Sequence, residues 1–208
     1  NVPAILDAVF ADEQSAAVVD RLGDRSLYAD GEYWVQYRET DFNFVSRLMA
    51  QVGIYYFFEH EEGAHNLVLI DSKATHELIE GESSIRYLPP NPHQNQPNDV
   101  VASFLMQQEV QSGQYVLQEY DFKKPGNDMK LQRQPELEIE HARPAYEVFD
   151  YPGDYDVHQD GEGYVAARIE ELSAQSIVFR GSGPVRSFHV GRKFRLADHD
   201  REDHNTEY

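Results

Sequence analysis

Residues 37–71 read YRETDFNFVSRLMAQVGIYYFFEHEEGAHNLVLID, and this stretch decides the fold of the chain. Thr40 or Asp41 can cap a helix, because either side chain can accept a hydrogen bond from the first helical turn. The residues that follow predict one buried helix face by their three- and four-residue spacing: Phe42, Val45, Leu48, Met49 and Val52. Gly53 then ends the helix, since glycine readily takes the left-handed conformation that follows a last turn.

A β-hairpin is predicted directly after this helix. Residues 54–58 are β-branched and aromatic, residues 59–65 are polar with Gly63 near the tip, and residues 66–71 are again apolar. Neither run alternates between polar and apolar residues, which indicates a sheet that is covered on both faces. We expect the helix on one face and a second body, such as another copy of the chain, on the other.

The chain before and after this stretch gives weaker signals. Residues 2–22 have helical spacing and predict two short helices, and residues 27–36 predict a strand. Residues 100–110 have a period of two, so we expect a half-buried strand that forms a second hairpin with residues 115–122.

The last third of the chain alternates strand and helix signals. Residues 135–141 predict a strand with one wet face, and residues 161–175 predict a helix capped by Asp160. Three short strands are expected after it, at residues 177–180, 187–190 and 193–196.

The linker YLPPNPH at residues 87–93 is the best internal boundary, because proline and asparagine favour turns. It predicts a helix-plus-hairpin part over residues 1–88 and a second β-rich part over residues 89–208. The fold class is therefore α+β.

Composition excludes several classes of function. The 208 residues carry a net charge of -19, which argues against nucleic acid, and no run of residues is apolar enough for membrane insertion. The absence of cysteine excludes disulfides and thiol nucleophiles. The nearest approach to a basic patch is interpreted as a solvated loop: Lys123, Lys124, Lys130 and Arg133. The chain starts without Met or a secretory leader, so we expect residues before Asn1 to be cut away or missing.

Partial catalytic and metal-binding motifs are present, but each lacks a required residue. His76 and Glu77 begin like a zinc-protease helix, yet Glu80 stands where the second histidine is needed, so a solvated turn is expected. Asp156, His158 and Asp160 resemble half of a calcium loop, whose bidentate Glu is replaced by Ala167.

Glycines and clustered acids give three more weak matches. Gly161, Gly163 and Ala166 fit a loose dinucleotide fingerprint, but an acidic loop precedes them and helix capping explains them better. Two interpretations remain for the acidic and histidine residues near the C-terminal end, a metal site or, more simply, a solvated loop: Asp198, His199, Asp200, Asp203 and His204. A catalytic acid–base pair remains a possible interpretation of the hairpin tip, which contains Glu59, His60, Glu61, Glu62 and His65. We assign no catalytic, cofactor or metal residue.

The composition favours surface contacts instead of chemistry. Thirteen tyrosines, eleven phenylalanines and one tryptophan lie mostly on short predicted strands. Aromatic side chains are enriched in subunit contacts, although ordinary sheet cores account for most of them.

Five segments resemble the VgrG spike family of type VI secretion, which is similar to the baseplate hub of contractile phage tails. They are residues 37–58, then IRYLP at 85–89, EYDFKKP at 119–125, FDYPGDY at 149–155, and GRKFRL at 191–196 with His199, Asn205, Glu207 and Tyr208. The family usually has aspartate where Glu119 stands. It also has a segment before position 1, and an OB-fold and a β-helical needle after position 208.

The resemblance implies a hub-like fragment without catalysis or cofactor. We expect small antiparallel β-barrel-like domains with packed helices, assembled as a homotrimer between the tube of Hcp rings and a puncturing needle. Effector or adaptor proteins and a needle-tip protein are the implied further partners. Assembly in the bacterial cytoplasm and secretion to the extracellular space or a target cell are also implied. A phage tail hub and a carboxylate-based hydrolase remain as alternatives.

Overall fold

The computed structural model describes residues 1–12, 17–91, 93, 97–136 and 143–208 of the chain. The α-helices are α1 (Val2–Asp12), α2 (Asp41–Val52) and α3 (His158–Ser173). The strands are β1 (Ala17–Arg21), β2 (Tyr55–Glu61), β3 (Ala64–Ile70), β4 (Glu77–Leu78), β5 (Ser84–Tyr87), β6 (Val100–Val101), β7 (Ser103–Gln108), β8 (Ser112–Glu119), β9 (Met129–Arg133), β10 (Arg143–Asp150), β11 (Ile177–Ser182), β12 (Arg192–Lys193) and β13 (Arg195–Ala197). None of the helices in the described ranges is long and apolar enough to cross a membrane.

Helix α2 begins and ends as its sequence predicts. The Thr40 hydroxyl accepts a hydrogen bond from the Asn43 N–H, and Gly53 ends the helix with φ 77°. Its buried face differs at one position, because Phe44 is buried whereas Phe42 is 62% exposed. Position 42 lies in the first turn, where no partner element covers it, so the prediction of a buried Phe42 is wrong.

The predicted hairpin is confirmed as β2 and β3, and its sheet is covered on both faces at β3. Leu67 and Leu69 pack against α1 and α2, whereas Val68 and Ile70 face the other way beside Phe57. Part of the far face is covered by this chain's own residues, since the Phe57 ring contacts His76.

The third strand of this sheet was not predicted. Residues 2–12 form α1 and residues 17–21 form β1, which pairs parallel with β3, so the expectation of a second helix is wrong. Pairing with β3 overrides the local helical spacing, because β1 completes a sheet whose central strand is buried. The predicted strand at residues 27–36 is wrong, because residues 28–36 contain no strand and Leu27 ends a short 3-10 helix, Arg25–Leu27.

Helix α3 covers a second sheet, of order β10-β8-β9. Strand β8 pairs antiparallel with β9 and parallel with β10, whereas β7 pairs with β11. The predicted hairpin between residues 100–110 and 115–122 is therefore wrong. Both segments contain strands, but β6 pairs with the earlier β5, β7 pairs with β11, and β8 pairs with β9 and β10. The predicted strand at 135–141 lies, from residue 137 onward, outside the described residues.

Three smaller sheets complete the architecture: β11-β7, β12-β4 and β13-β5-β6. Two of them join strands from before and after the predicted linker, because β5 pairs with β6 and β13, and β4 pairs with β12. The division at residue 88 stays a prediction.

The overall class is a mixture of helices and small sheets, as predicted. The sheets are mixed rather than antiparallel, since β1, β10 and β12 each pair parallel with an earlier or later strand. No closed barrel is formed by the strands that the structure describes, so the barrel-like detail is not confirmed. Residues 187–190 form turns instead of the predicted strand.

Candidate interaction surfaces

One acidic residue of the predicted hairpin tip, Glu59, forms ion pairs, whereas Glu61 and Glu62 form none among the described residues. Glu59 is partly buried and forms ion pairs with Arg21 at 2.8 Å and with Arg192 at 3.3 Å. The Nδ1 atoms of His60 and His65 lie 2.8 Å apart, so one imidazole donates a hydrogen bond to the other across the two strands. Glu59 therefore connects β2 to β1 and to β12 through these two arginines.

His76 connects β2 to the turn at Gly191 and is not a solvated turn residue. Its Nδ1 lies 2.8 Å from the Gly191 carbonyl oxygen, and its Nε2 lies 2.8 Å from the Tyr55 hydroxyl. A carbonyl only accepts, so Nδ1 carries the proton and Nε2 accepts from Tyr55. Burial raises the pKa of Tyr55 above its ordinary value. Glu77 forms an ion pair with Arg192, which leaves no acid–histidine pair of a zinc-protease type.

The histidines near the C-terminal end pack among aromatic rings. The rings of His199 and His204 lie 4.5 Å apart, and His204 is 4% exposed against Phe104 and Phe179. Neither ring nitrogen of His204 has a hydrogen-bond partner, and burial lowers its pKa. Asp203 pairs with Arg201 instead of approaching a histidine nitrogen.

Of the two glycines at the start of α3, Gly161 is closely packed, whereas Gly163 has open space beside it. A side chain at Gly161 would approach the Tyr155 ring to within 2.8 Å. His158 and Asp160 lie inside the helix, and its N-cap is Val157 without a side-chain hydrogen bond, so the prediction that Asp160 caps it is wrong. The His158 Nε2 lies 2.7 Å from the Asp128 carbonyl oxygen. Within the described ranges, no three His, Asp or Glu side chains form a metal-binding group.

A cleft of about 480 Å³ opens between the hairpin tip and the turn before β12; we name it the acidic cleft. It is lined by Phe58, Glu59, His60, Glu61, Glu80, Ser187, Phe188, His189, Val190 and Arg192. Arg192 is compensated by Glu59 and Glu77, whereas Glu61 and Glu80 are exposed and have no ion pair among the described residues. Phe58 and Phe188 are half-exposed and Val190 is 74% exposed, so the cleft combines apolar walls with negative charge.

Four exposed aromatic side chains lie along the end of the β10-β8-β9 sheet; we name them the aromatic edge. They are Tyr120, Phe122, Phe149 and Tyr151. Phe149 pairs with Val116 across two parallel strands, and both strands end within a few residues, so the four rings belong to the same end of the sheet. Phe122 is 76% exposed, and the Lys123 ammonium lies 5.7 Å from the centre of its ring.

Hydrogen bonds made by two side chains, Glu119 and Tyr155, hold the backbone beside the aromatic edge. The Glu119 carboxylate accepts a hydrogen bond of 2.8 Å from the Asp154 N–H, and another from the Tyr120 N–H. The Tyr155 ring is buried, and its hydroxyl donates to the Met129 carbonyl. Burial raises the pKa of Tyr155, which keeps the hydroxyl protonated as a donor.

Sequence reasoning quoted the segments that form the aromatic edge but did not identify them as one surface. EYDFKKP and FDYPGDY both place aromatic residues between charged or turn residues, which is the signal that could have found them. It missed Phe188 and Val190 because they were assigned to a strand. The basic residues Lys123 and Lys124 are exposed, as predicted for a solvated loop.

Comparisons with known proteins agree with this architecture. The family model of the phage tail baseplate hub matches residues 1–208. The chain is 43% identical over its whole length to the type VI secretion system spike protein VgrG1b of Pseudomonas aeruginosa, and 41% identical to VgrG1a of the same organism. It spans 27% and 32% of the lengths of these two relatives.

Two solved structures have a similar fold. A type VI secretion component of E. coli, described as similar to the T4 tail proteins gp27 and gp5, superposes with a TM-score of 0.59 at 16% identity. That match covers 96% of this chain and 39% of the other. A prophage MuSo2 tail protein from Shewanella oneidensis gives a TM-score of 0.57 at 12% identity, over 95% of this chain and 56% of the other. The chain belongs to the phage tail baseplate hub family, and its sequence is similar to type VI secretion spike proteins.

Proposed function

We propose that this chain is the hub part of a type VI secretion spike, with a mechanical rather than a catalytic role. Three copies join as a ring that adapts the sixfold tube of Hcp rings to a threefold puncturing needle. The spike carries effector or adaptor proteins and a needle-tip protein. It assembles in the bacterial cytoplasm and leaves through the apparatus to the extracellular space or a target cell.

The observation that carries the assembly role is the amount of exposed surface. A compact monomer of 24.0 kDa exposes about 9,900 Å² by the usual scaling of area with mass, whereas this chain exposes 14113 Å². Stable subunit interfaces bury about 2,000–5,000 Å². The excess of about 4,000 Å² is therefore of the size that contacts with other subunits, or with the remainder of a longer polypeptide like those of the relatives, would cover.

The exposed apolar side chains support the same proposal. Many large hydrophobic residues are more than half exposed, with the highest exposures at Tyr33, Phe122 and Val190. Monomeric proteins rarely leave large apolar patches in water, whereas interface cores are enriched in aromatic residues.

The experiment is a reconstitution with purified proteins. The full-length gene product that carries this chain is mixed with Hcp rings, and binding is followed by sedimentation and by negative-stain microscopy. We expect a threefold particle at one end of the stacked rings. A particle that neither binds the rings nor shows threefold symmetry would contradict the proposal.

A phage tail hub is the second candidate, because the prophage tail protein shares the fold over nearly the whole chain. The same experiment separates the two: we expect binding to Hcp rings for a secretion spike, and binding to a phage tail-tube protein in their place for a phage hub.

A further inference from the structure

We propose that the aromatic edge of one copy of this chain docks into the acidic cleft of a second copy. This inference rests on the proposed function, because it names the surfaces by which neighbouring copies would join in the ring.

Ring symmetry requires two different surfaces on each copy. In a closed ring of three, each subunit contacts its neighbour through a head-to-tail interface, so one surface must match another elsewhere on the same chain. The aromatic edge and the acidic cleft form such a pair. One projects rings and ammonium groups, whereas the other is concave, apolar-walled and negative.

The two surfaces belong to different sheets, which are joined through the helices. The acidic cleft adjoins the β1-β3-β2 sheet, whose inner face packs against α2. Helix α2 contacts α3, and α3 covers the β10-β8-β9 sheet that ends in the aromatic edge. Because the two surfaces belong to different sheets, one copy can present them to two different neighbours.

Charge complementarity selects a second copy as the occupant. The net charge of -19 makes copies repel one another unless positive groups meet negative ones at the contact. Seven of the chain's thirteen arginines form ion pairs with described residues: Arg21, Arg25, Arg47, Arg133, Arg168, Arg192 and Arg201. Lys123 and Lys124 directly follow Phe122, are exposed, and have no ion pair among the described residues. They are thus available for the unpaired Glu61 and Glu80 of the acidic cleft.

Apolar matching adds to the charge pairing. Phe122 is the most exposed ring of the aromatic edge, and the acidic cleft offers Phe58, Phe188 and Val190 around a space of about 480 Å³. Exposed aromatic side chains that fill a pocket on the partner are the usual centre of a protein interface, with charged pairs at the rim.

The test is site-directed crosslinking in the full-length gene product, using the fact that this chain has no cysteine. Phe122→Cys and Val190→Cys are placed on separately tagged, co-expressed copies and joined with a short bismaleimide. We expect a covalent dimer that carries both tags. A Leu27→Cys copy with the Val190→Cys copy is the matched control, because Leu27 is 71% exposed and lies on neither surface.

Charge reversal supplies the second measurement. Lys123→Glu with Lys124→Glu should lower the crosslink yield at least about tenfold, because like charges at an interface are strongly unfavourable. Adding Glu61→Lys with Glu80→Lys to the same chain should restore the yield. Lys73→Glu with Arg180→Glu makes the same charge change at exposed sites away from both surfaces and should leave the yield unchanged.

Each outcome decides the matter. The dual-tag dimer, with its loss on charge reversal and its recovery, supports the proposal. A trimer of correct mass that gives no Phe122–Val190 crosslink, or crosslinks Leu27 equally well, overturns this interface and leaves the proposed function standing. A crosslink yield that does not fall when Lys123 and Lys124 are changed to glutamate overturns it as well, since these charges then do not join the two surfaces. A monomeric full-length product overturns the proposed function itself.

Discussion

Replacing Glu59 by glutamine tests whether this carboxylate is structural or catalytic. Its two oxygens face Arg21 at 2.8 Å and Arg192 at 3.3 Å, and it joins β2 to the wall of the acidic cleft. Glutamine keeps the size of the side chain but removes the charge, so both pairs lose their electrostatic part.

The expected loss of stability follows from the exposure of the groups. Exposed ion pairs contribute about 0.2–1 kcal/mol, and hydrogen bonds to charged groups about 1.5–3 kcal/mol. Glu59 and Arg192 are each 21% exposed, between these cases, so we expect Glu59→Gln to lower the free energy of unfolding by about 1–2 kcal/mol. In a chain of this length the unfolding midpoint falls by about 2–8 °C.

The assay is thermal unfolding followed by circular dichroism at low and high salt. Glu62→Gln is the matched control, because Glu62 lies at the same hairpin tip, is exposed and has no ion pair among the described residues. We expect the Glu59 effect to shrink at high salt and the Glu62 variant to unfold like the parent. A Glu59→Gln protein with an unchanged midpoint, or an equal loss at Glu62, would refute the reasoning.

Three further predictions concern the same fold. Gly191→Ala should lower the free energy of unfolding by about 2–3 kcal/mol, because φ is 78° and a Cβ would lie 2.5 Å from the Phe57 ring. The control is Gly63→Ala, where φ is 81° but the space is open, so urea unfolding should show a smaller loss. Equal losses in the two variants would argue against the Phe57 contact. Thr40→Ala should lower the free energy of unfolding by about 1 kcal/mol, because the helix cap is lost, whereas Thr40→Ser keeps the cap and should not. Chemical denaturation measures both values. Stability should fall as pH drops below about 6.5, because the unfolded state protonates His204 while burial lowers its folded pKa. In unfolding across pH 5–8, His204→Phe should reduce this slope, and an unchanged slope would contradict the assignment.

Local signals predicted the centre of the fold. Thr40, Gly53 and Gly63 have conformational roles that depend on their immediate neighbours, so the helix and hairpin could be located from the sequence. The same applies to α3, whose buried Val165 and Ile169 follow the helical period.

Long-range pairing could not be predicted in the same way. Strand β1 carries helical spacing, and only its partner β3, at register Ala17↔Asn66, makes it a strand. Neighbouring strands in sequence commonly pair, which predicts that β7 pairs with the next strand segment. In the structure β7 pairs with β11, more than sixty residues later, at register Ile177↔Gln108. Which strands meet depends on the packing of the whole chain, which periodicity does not report.

The candidate surfaces follow the same division. Aromatic richness indicated contact surfaces, but the aromatic edge requires the parallel pairing of β10 with β8, which brings Phe149 and Tyr151 to the end where Phe122 lies. His76 and Glu59 matched fragments of catalytic motifs, and only their contacts identify them as connectors.

The central claim, that this chain is a hub that functions as three copies, is tested most directly by the solution mass of the full-length gene product. Multi-angle light scattering across a hundredfold range of concentration gives that mass without a reference shape. The account predicts three chains per particle at every concentration. A single chain per particle across the whole range would contradict it.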